Sequence, residues 1–252
     1  MATRLEVLTE LNLAPLWRRR SAAVAAGTAE VAFVPEAASV VPIAPAFDTS
    51  AAALEVRRAR IAALEWNAFA TDVDACTACG LCRTRNRSVP GVGDIRAEWL
   101  FIGEAPGAEE DARGEPFVGQ AGRLLDSMLV ALGMTRRRNV YIANVLKCRP
   151  PGNRTPEPQE ADACRPYLER QIALVGPRLL IALGKSAASL LLGTDASIAS
   201  LRGRVHSYQG RPLVVTYHPA YLLRSLHEKA KAWEDLLLAR RTVASLKSVK
   251  NP

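Results

Sequence analysis

A chain of 252 residues with 49% apolar side chains can bury one sizeable core, with an appendage, and its formal charge of +8 (33 Lys and Arg against 25 Asp and Glu) is strongly basic. No run approaches the roughly 18 unbroken apolar residues of a membrane span, so a soluble protein is expected. Residues 1–66 hold seven basic and seven acidic side chains, which leaves the whole excess in the remainder. That remainder reads either as the face of a polyanion-binding protein or as the mark of an arginine-rich composition.

In chain order, "TRLEVLTELNLAPLWRRR" has Leu5, Leu8, Leu11 and Trp17 spaced as a short amphipathic helix. It is either a frayed terminus or a tethered peptide for a protein partner. Residues 21–47, rich in Ala, Val and Pro and without periodicity, read as a linker. Arginines ahead of an alanine-rich stretch faintly resemble an export signal, but Glu30 and Glu36 interrupt a weakly hydrophobic run, so a cytoplasmic protein is expected. The expected division is therefore an extension over 1–47 and one globular domain over 48–252.

From Asp48 on, Thr49 or Ser50 can cap one helix through "AAALEVRRARIAALEWNAFATDVD", with Leu54, Ile61, Leu64 and Phe69 near one face. Beyond the first cysteines, strand-like runs alternate with helical patterns. "EWLFIG" is followed by "AGRLLDSMLVALG", "VYIANV" by "PEPQEADACRPYLERQIALV", and "RLLIALG" by "KSAASLLLG". "GRVHSYQ" and "PLVVTYH" add two strands before a closing helix around "EKAKAWEDLLLARRTVASL". This rhythm predicts an α/β fold, three-layer αβα around a short, mainly parallel sheet. In such sheets the working residues collect at the carboxyl ends of strands. Three stretches fit: "GEAPG" after the first strand, Asn144 in the second, and "HPAYLLR" after the last.

Five cysteines occur, Cys76, Cys79 and Cys82 in "CTACGLC", then Cys148 and Cys164. An odd count without an export signal argues against a disulfide framework. Two thiolates separated by two residues, joined by two from afar, form a four-sulfur site that zinc or an iron-sulfur cluster accepts. On spacing alone Cys79 with Cys82 serves as well as Cys76 with Cys79.

The ordered set "CTACGLC", "GEAPGAEEDARGEPFVGQAGRLL", "IANVLKCRPPGNRTPEPQEADACRPYL", "LGKSAASLLLG", "LRGRVHSYQG" and "TYHPAYLLR" resembles the family 4 uracil-DNA glycosylases over about residues 70–245. The resemblance implies a 4Fe-4S cluster on Cys76, Cys79, Cys148 and Cys164, acting as a structural clip near DNA, with Cys82 left over. Lys147, Arg149 and Arg154, on or near the loop that the cluster pins, are then candidates for phosphate contacts. A covalently self-trapping relative carries a reactive histidine in a basic loop here, and "VLKCRPPGNR" has none.

Excising uracil requires the base to leave the stack. Phe117 resembles the family's stacking aromatic. Asn144 can offer its carbonyl to uracil N3–H and its amide to O4, the reverse of what cytosine needs. His218 matches the histidine that donates toward uracil O2 as the base leaves as an anion. Ala105 aligns with an aspartate of better-known uracil glycosylases, so a carboxylate for water must come from Glu104 or Glu110, with Asp111 behind them. In "HPAYLLR", Leu222, and after it Leu223, is the expected wedge into the gap left by the base, with Arg224 on phosphate. Ala220 stands where the family often has serine.

The expected protein is thus a uracil-DNA glycosylase acting on single- or double-stranded DNA at the nucleoid, working as a monomer, with the cluster structural. The alternatives are a non-catalytic iron-sulfur DNA-binding or damage-sensing protein, and a glycosylase for another deaminated base.

Overall fold

The structure, a computed structural model, describes residues 51–248. The amphipathic peptide, the linker and the caps Thr49 and Ser50 lie outside the described residues. Among the described residues no helix is long and apolar enough to cross a membrane.

The first helical stretch is two helices and not one. α1 (Ala51–Ala62) and α2 (Trp66–Asp74) are separated at Ala63–Glu65, where backbone bonds tighten to the i→i+3 pattern. The break turns α2 so that Phe69 and Val73 pack with Ile61 and Tyr167, while Leu54 stays exposed.

Six strands form the sheet: β1 (Val92–Gly93), β2 (Trp99–Gly103), β3 (Val140–Asn144), β4 (Leu179–Leu183), β5 (Val205–Tyr208) and β6 (Arg211–Thr216). Their order is β1-β3-β2-β4-β6-β5, with the central four parallel and each edge strand antiparallel to its neighbour. The two-residue β1 carries too little pattern to be read from sequence.

The period of two along each strand divides the core. Leu100, Ile102, Tyr141, Ala143, Leu180, Ala182, Leu213 and Val215 face one side. They pack under α5 (Pro158–Val175), α6 (Lys185–Leu192) and α7 (Ile198–Leu201). Trp99, Phe101, Val140, Ile142, Leu179, Ile181 and Val214 face the other, under α4 (Gln120–Ala131) and the closing helix α9 (Lys229–Ser248). Because both faces are covered, β2, β3 and β4 are buried throughout, as a parallel sheet requires. The result is the expected three-layer αβα fold.

Strand β2 pairs with the strand that follows it, β3, on one side and with β4 on the other. Chain direction across the sheet therefore reverses at β2, and a crevice opens beyond its carboxyl end. Two short helices flank that crevice, α3 (Ala108–Arg113) after β2 and α8 (Pro219–Leu222) after β6.

Candidate active site and cysteine cage

The carboxyl ends of β2, β3 and β6 meet in one cavity of about 510 Å3, lined among others by Glu104, Ala105, Glu110, Phe117, Asn144 and His218. Asn144 is the last residue of β3, in register with Gly103, and 2% exposed. A Cβ on Gly103 would collide with Asn144 Oδ1 and meet the Phe117 ring at 2.7 Å, so glycine here lets both side chains stand over the strand end. The Asn144 carboxamide makes no hydrogen bond among the described residues. Such a buried group needs a partner, and the cavity is where one can come from.

Phe117 is 6% exposed and adopts φ of 55°, a backbone conformation that a bulky residue rarely takes. Its strain is held by Arg136, which donates to Pro116 O at 2.8 Å and to Phe117 O, and pairs with Asp126 at 2.5 Å. The Phe117 ring lies 5.5 Å from the His218 ring, tilted by 31°.

His218 caps α8, and its Nδ1 accepts a hydrogen bond from Ala220 N at 3.1 Å. Burial presses its pKa down to about 4, against an upward pull from the Glu110 charge, with a smaller downward push from Arg224. The ring is therefore neutral at pH 7 with its proton on Nε2. Close approach from behind needs Gly184 (φ 90°), since a Cβ there would lie 2.8 Å from His218 Cβ.

The three acids of the GEAPG region divide by environment. Glu110 Oε2 accepts from Gly107 N at 3.1 Å, and Oε1 from Val118 N at 2.9 Å and Gly119 N at 3.3 Å. This carboxylate pins the loop and the start of α3 to the turn after Phe117. Asp111 is buried and accepts from Asn86 N and Nδ2, which ties α3 to the segment after the cysteines and takes it out of the cavity chemistry. Among the described residues the Glu104 carboxylate has no such backbone partner. Burial raises its carboxyl above the usual carboxylate range, opposed by a hydrogen bond from Ser186.

On the α5 side of the sheet, Cys76, Cys79, Cys82, Cys148 and Cys164 line one space. The space they leave between them is small, about 10 Å3. Hydrogen-bond donors point at three of the sulfurs: Arg57 at Cys76 (3.5 Å), Arg85 at Cys148 (3.0 Å) and Lys147 N at Cys164 (3.2 Å). Burial pushes the thiols of Cys79 and Cys164 up to about 11 and about 12, so this space holds thiolates only if a cation joins them. Among the described residues no group of three or more His, Cys, Asp or Glu side chains is arranged to hold a metal ion.

The family model described as Uracil DNA glycosylase superfamily matches residues 90–237. A type-4 uracil-DNA glycosylase of Archaeoglobus fulgidus is 43% identical over 160 residues, 60% of this chain and 80% of the relative. Another, of Thermotoga maritima, is 46% identical over 155 residues, covering 61% and 80%. The chain belongs to the type-4 uracil-DNA glycosylases. A type-5 uracil-DNA glycosylase of Thermus thermophilus is also similar, 35% identical over 151 residues, 52% of this chain and 68% of the relative.

For a type-4 uracil-DNA glycosylase, two expectations need correction. Leu222, the first choice for the wedge, is 1% exposed and packed with Tyr217 and Ala232. Withdrawing it would forfeit about 1.5–3 kcal/mol of burial. Leu223, the second choice, is 39% exposed beside Arg224, which lines the cavity mouth. Lys147 cannot meet phosphate, because it is 1% exposed and its Nζ donates to Asn144 O at 2.8 Å and to Gln171 Oε1. Arg149 is half-buried and donates to Asn153 Oδ1, whereas Arg154 is exposed at the cavity but paired with Glu157 and Glu160. Arg136, Gly184 and Ser186 escaped the sequence reading. Arg136 lies in "TRRRN", where nothing distinguishes a buried clamp from surface charge.

Proposed function

We propose that this chain hydrolyses the N-glycosidic bond of uracil in single- or double-stranded DNA, leaving an abasic site for base-excision repair. The observation that carries the residue assignments is the meeting of Phe117, Asn144 and a neutral His218 in one cavity at the sheet's carboxyl edge. DNA binding alone requires no such combination.

A flipped uracil stacks on Phe117, and Asn144 reads its N3–H and O4 edge. As the glycosidic bond lengthens, negative charge moves onto the base, and His218 Nε2–H donates toward O2. A neutral donor fixed in place stabilises that charge without prior reorganisation. Glu104 orients the attacking water and faces the positive charge growing on the sugar. Its freedom from backbone duty favours it over Glu110, which holds the loop. The wall beside Glu104 is Ala105, with no charge of its own. Leu223 enters the vacated stack while Arg224 meets phosphate, an exchange that offsets part of the few kcal/mol lost on unstacking.

Cys76, Cys79, Cys148 and Cys164 hold a 4Fe-4S cluster in this reading. The donor set supports it: five cysteines surround unfilled space, with Arg57, Arg85 and a backbone N–H aimed at sulfur, as thiolate ligands require. When bound, the cluster supplies a cross-link between the 76–82 turn, the end of β3 and α5. Cys82 is the spare thiol. The enzyme works as a monomer in the cytoplasm, at the nucleoid, where its substrate is.

The test is incubation of the iron-loaded full chain with an oligonucleotide carrying one uracil, beside a thymine control, followed by alkali. Strand breakage with uracil alone supports the reading. Binding without breakage would turn it toward a non-catalytic iron-sulfur DNA-binding protein.

A further inference from the structure

Lys147 is fully buried, and none of the steps above uses it. It lines the cysteine space. Its backbone N–H donates to Cys164 Sγ, and its Nζ donates to the main-chain carbonyl of Asn144 and to Gln171 Oε1. Gln171 lies on α5, seven residues beyond Cys164, and its amide continues the chain to Pro90 O at 2.5 Å and to the Tyr141 hydroxyl at 3.3 Å. One side chain therefore touches the strand end that carries the uracil-reading carboxamide, the helix that carries a cysteine of the cage, and the cage itself.

We infer that Lys147 is a positioning residue for uracil recognition, tying the main chain of Asn144 to the helix that carries Cys164. The inference rests on the assignment of Asn144 as the base-reading group. A buried ammonium is costly unless every N–H finds a partner and opposite charge is near. The carbonyl and the carboxamide supply partners, and the thiolates of Cys148 and Cys164 supply charge when the cage holds its cluster. The cage and the uracil site thus share one strut, and the fit of the base depends on whether the cysteines are drawn together.

The decisive variant is Lys147→Met in the full chain, which keeps the stem and removes the ties. Three quantities are read: iron per chain, affinity for uracil-free DNA, and the inhibition constant of free uracil. The expected result is near-normal iron and DNA affinity with free-uracil inhibition weakened about tenfold or more, as for loss of a hydrogen bond to a charged group. Wild-type inhibition by uracil in the iron-loaded variant would overturn the inference. If Lys147→Met loses its iron, Gln171→Leu decides, because it keeps the ammonium and its bond to Asn144 O while cutting the tie to α5, along with the Gln171 bonds to Pro90 O and Tyr141. Weakened uracil inhibition with full iron would support the strut, and an unchanged constant would overturn it. Failure of the wild-type chain to release uracil would instead reject the reading of the site itself.

Discussion

Nδ1 of His218 accepts a hydrogen bond from the backbone N–H of Ala220 at 3.1 Å, which leaves the ring's proton on Nε2, toward the cavity. A neutral donor differs from a charged one in its pH behaviour. The folded pKa of about 4 lies below the ordinary value of 6.5, so the unfolded state binds more protons between these two values. The stability associated with His218 is therefore complete above pH 6.5 and is lost as pH falls toward 4. The rate of uracil release is expected to show no inflection near pH 6.5 from this group, and His218→Ala to lower kcat by about 10²–10³. A pH–rate profile with a histidine inflection between 6 and 7 that His218→Ala removes would contradict the neutral-donor role.

Glu104 and Glu110 are separable by their partners. Glu104→Gln is expected to reduce kcat with the melting temperature unchanged. Glu110→Gln exchanges an acceptor oxygen for an amide among three backbone N–H donors, at a cost of about 1–3 kcal/mol. For a domain of this size each kcal/mol lowers the melting temperature by about 2–4 °C. Thermal melts beside single-turnover rates check both, and a reversed pattern would exchange the two roles.

The neighbouring leucines make a similar pair. Leu222→Ala opens a cavity in the packing around Tyr217 and is expected to destabilise by about 2–5 kcal/mol. Leu223→Ala should leave the melt unchanged and slow release from duplex DNA more than from single strands, since only the duplex must be prised open. Equal losses on both substrates would remove Leu223 from the wedge role.

Arg136→Met removes the clamp on the Phe117 carbonyl and on the positive φ of that residue. The expected outcome is a raised KM for uracil-containing DNA, with wild-type affinity for uracil-free DNA, and partial rescue by Arg136→Lys. Parallel losses on both kinds of DNA would mean that Arg136 supports the fold alone.

The sheet was legible because its inner strands are short apolar runs between helical patterns, and "GEAPG", Asn144 and "HPAYLLR" stood where such a sheet collects its working groups. What stayed hidden depends on where a side chain turns after the backbone is set. Leu222 and Leu223 are adjacent in sequence, yet Leu222 ends α8 facing the core and Leu223, the capping residue after it, is exposed. Lys147 sits in an arginine-rich motif that resembles a phosphate-binding loop, yet its chain turns inward to Asn144 and Gln171. The break at Ala63–Glu65 was concealed because the apolar residues of α1 and α2 fall in one continuous helical register.

The other site assignments depend on Asn144 as the reader of uracil in the cavity beside Phe117 and His218. The most direct test of that role is the single-turnover release of uracil from a single-stranded oligonucleotide by the wild-type chain and by Asn144→Ala, both with equal iron content. A fall of about a hundredfold or more, with DNA affinity retained, is the predicted result. Release by Asn144→Ala at close to the wild-type rate would contradict it.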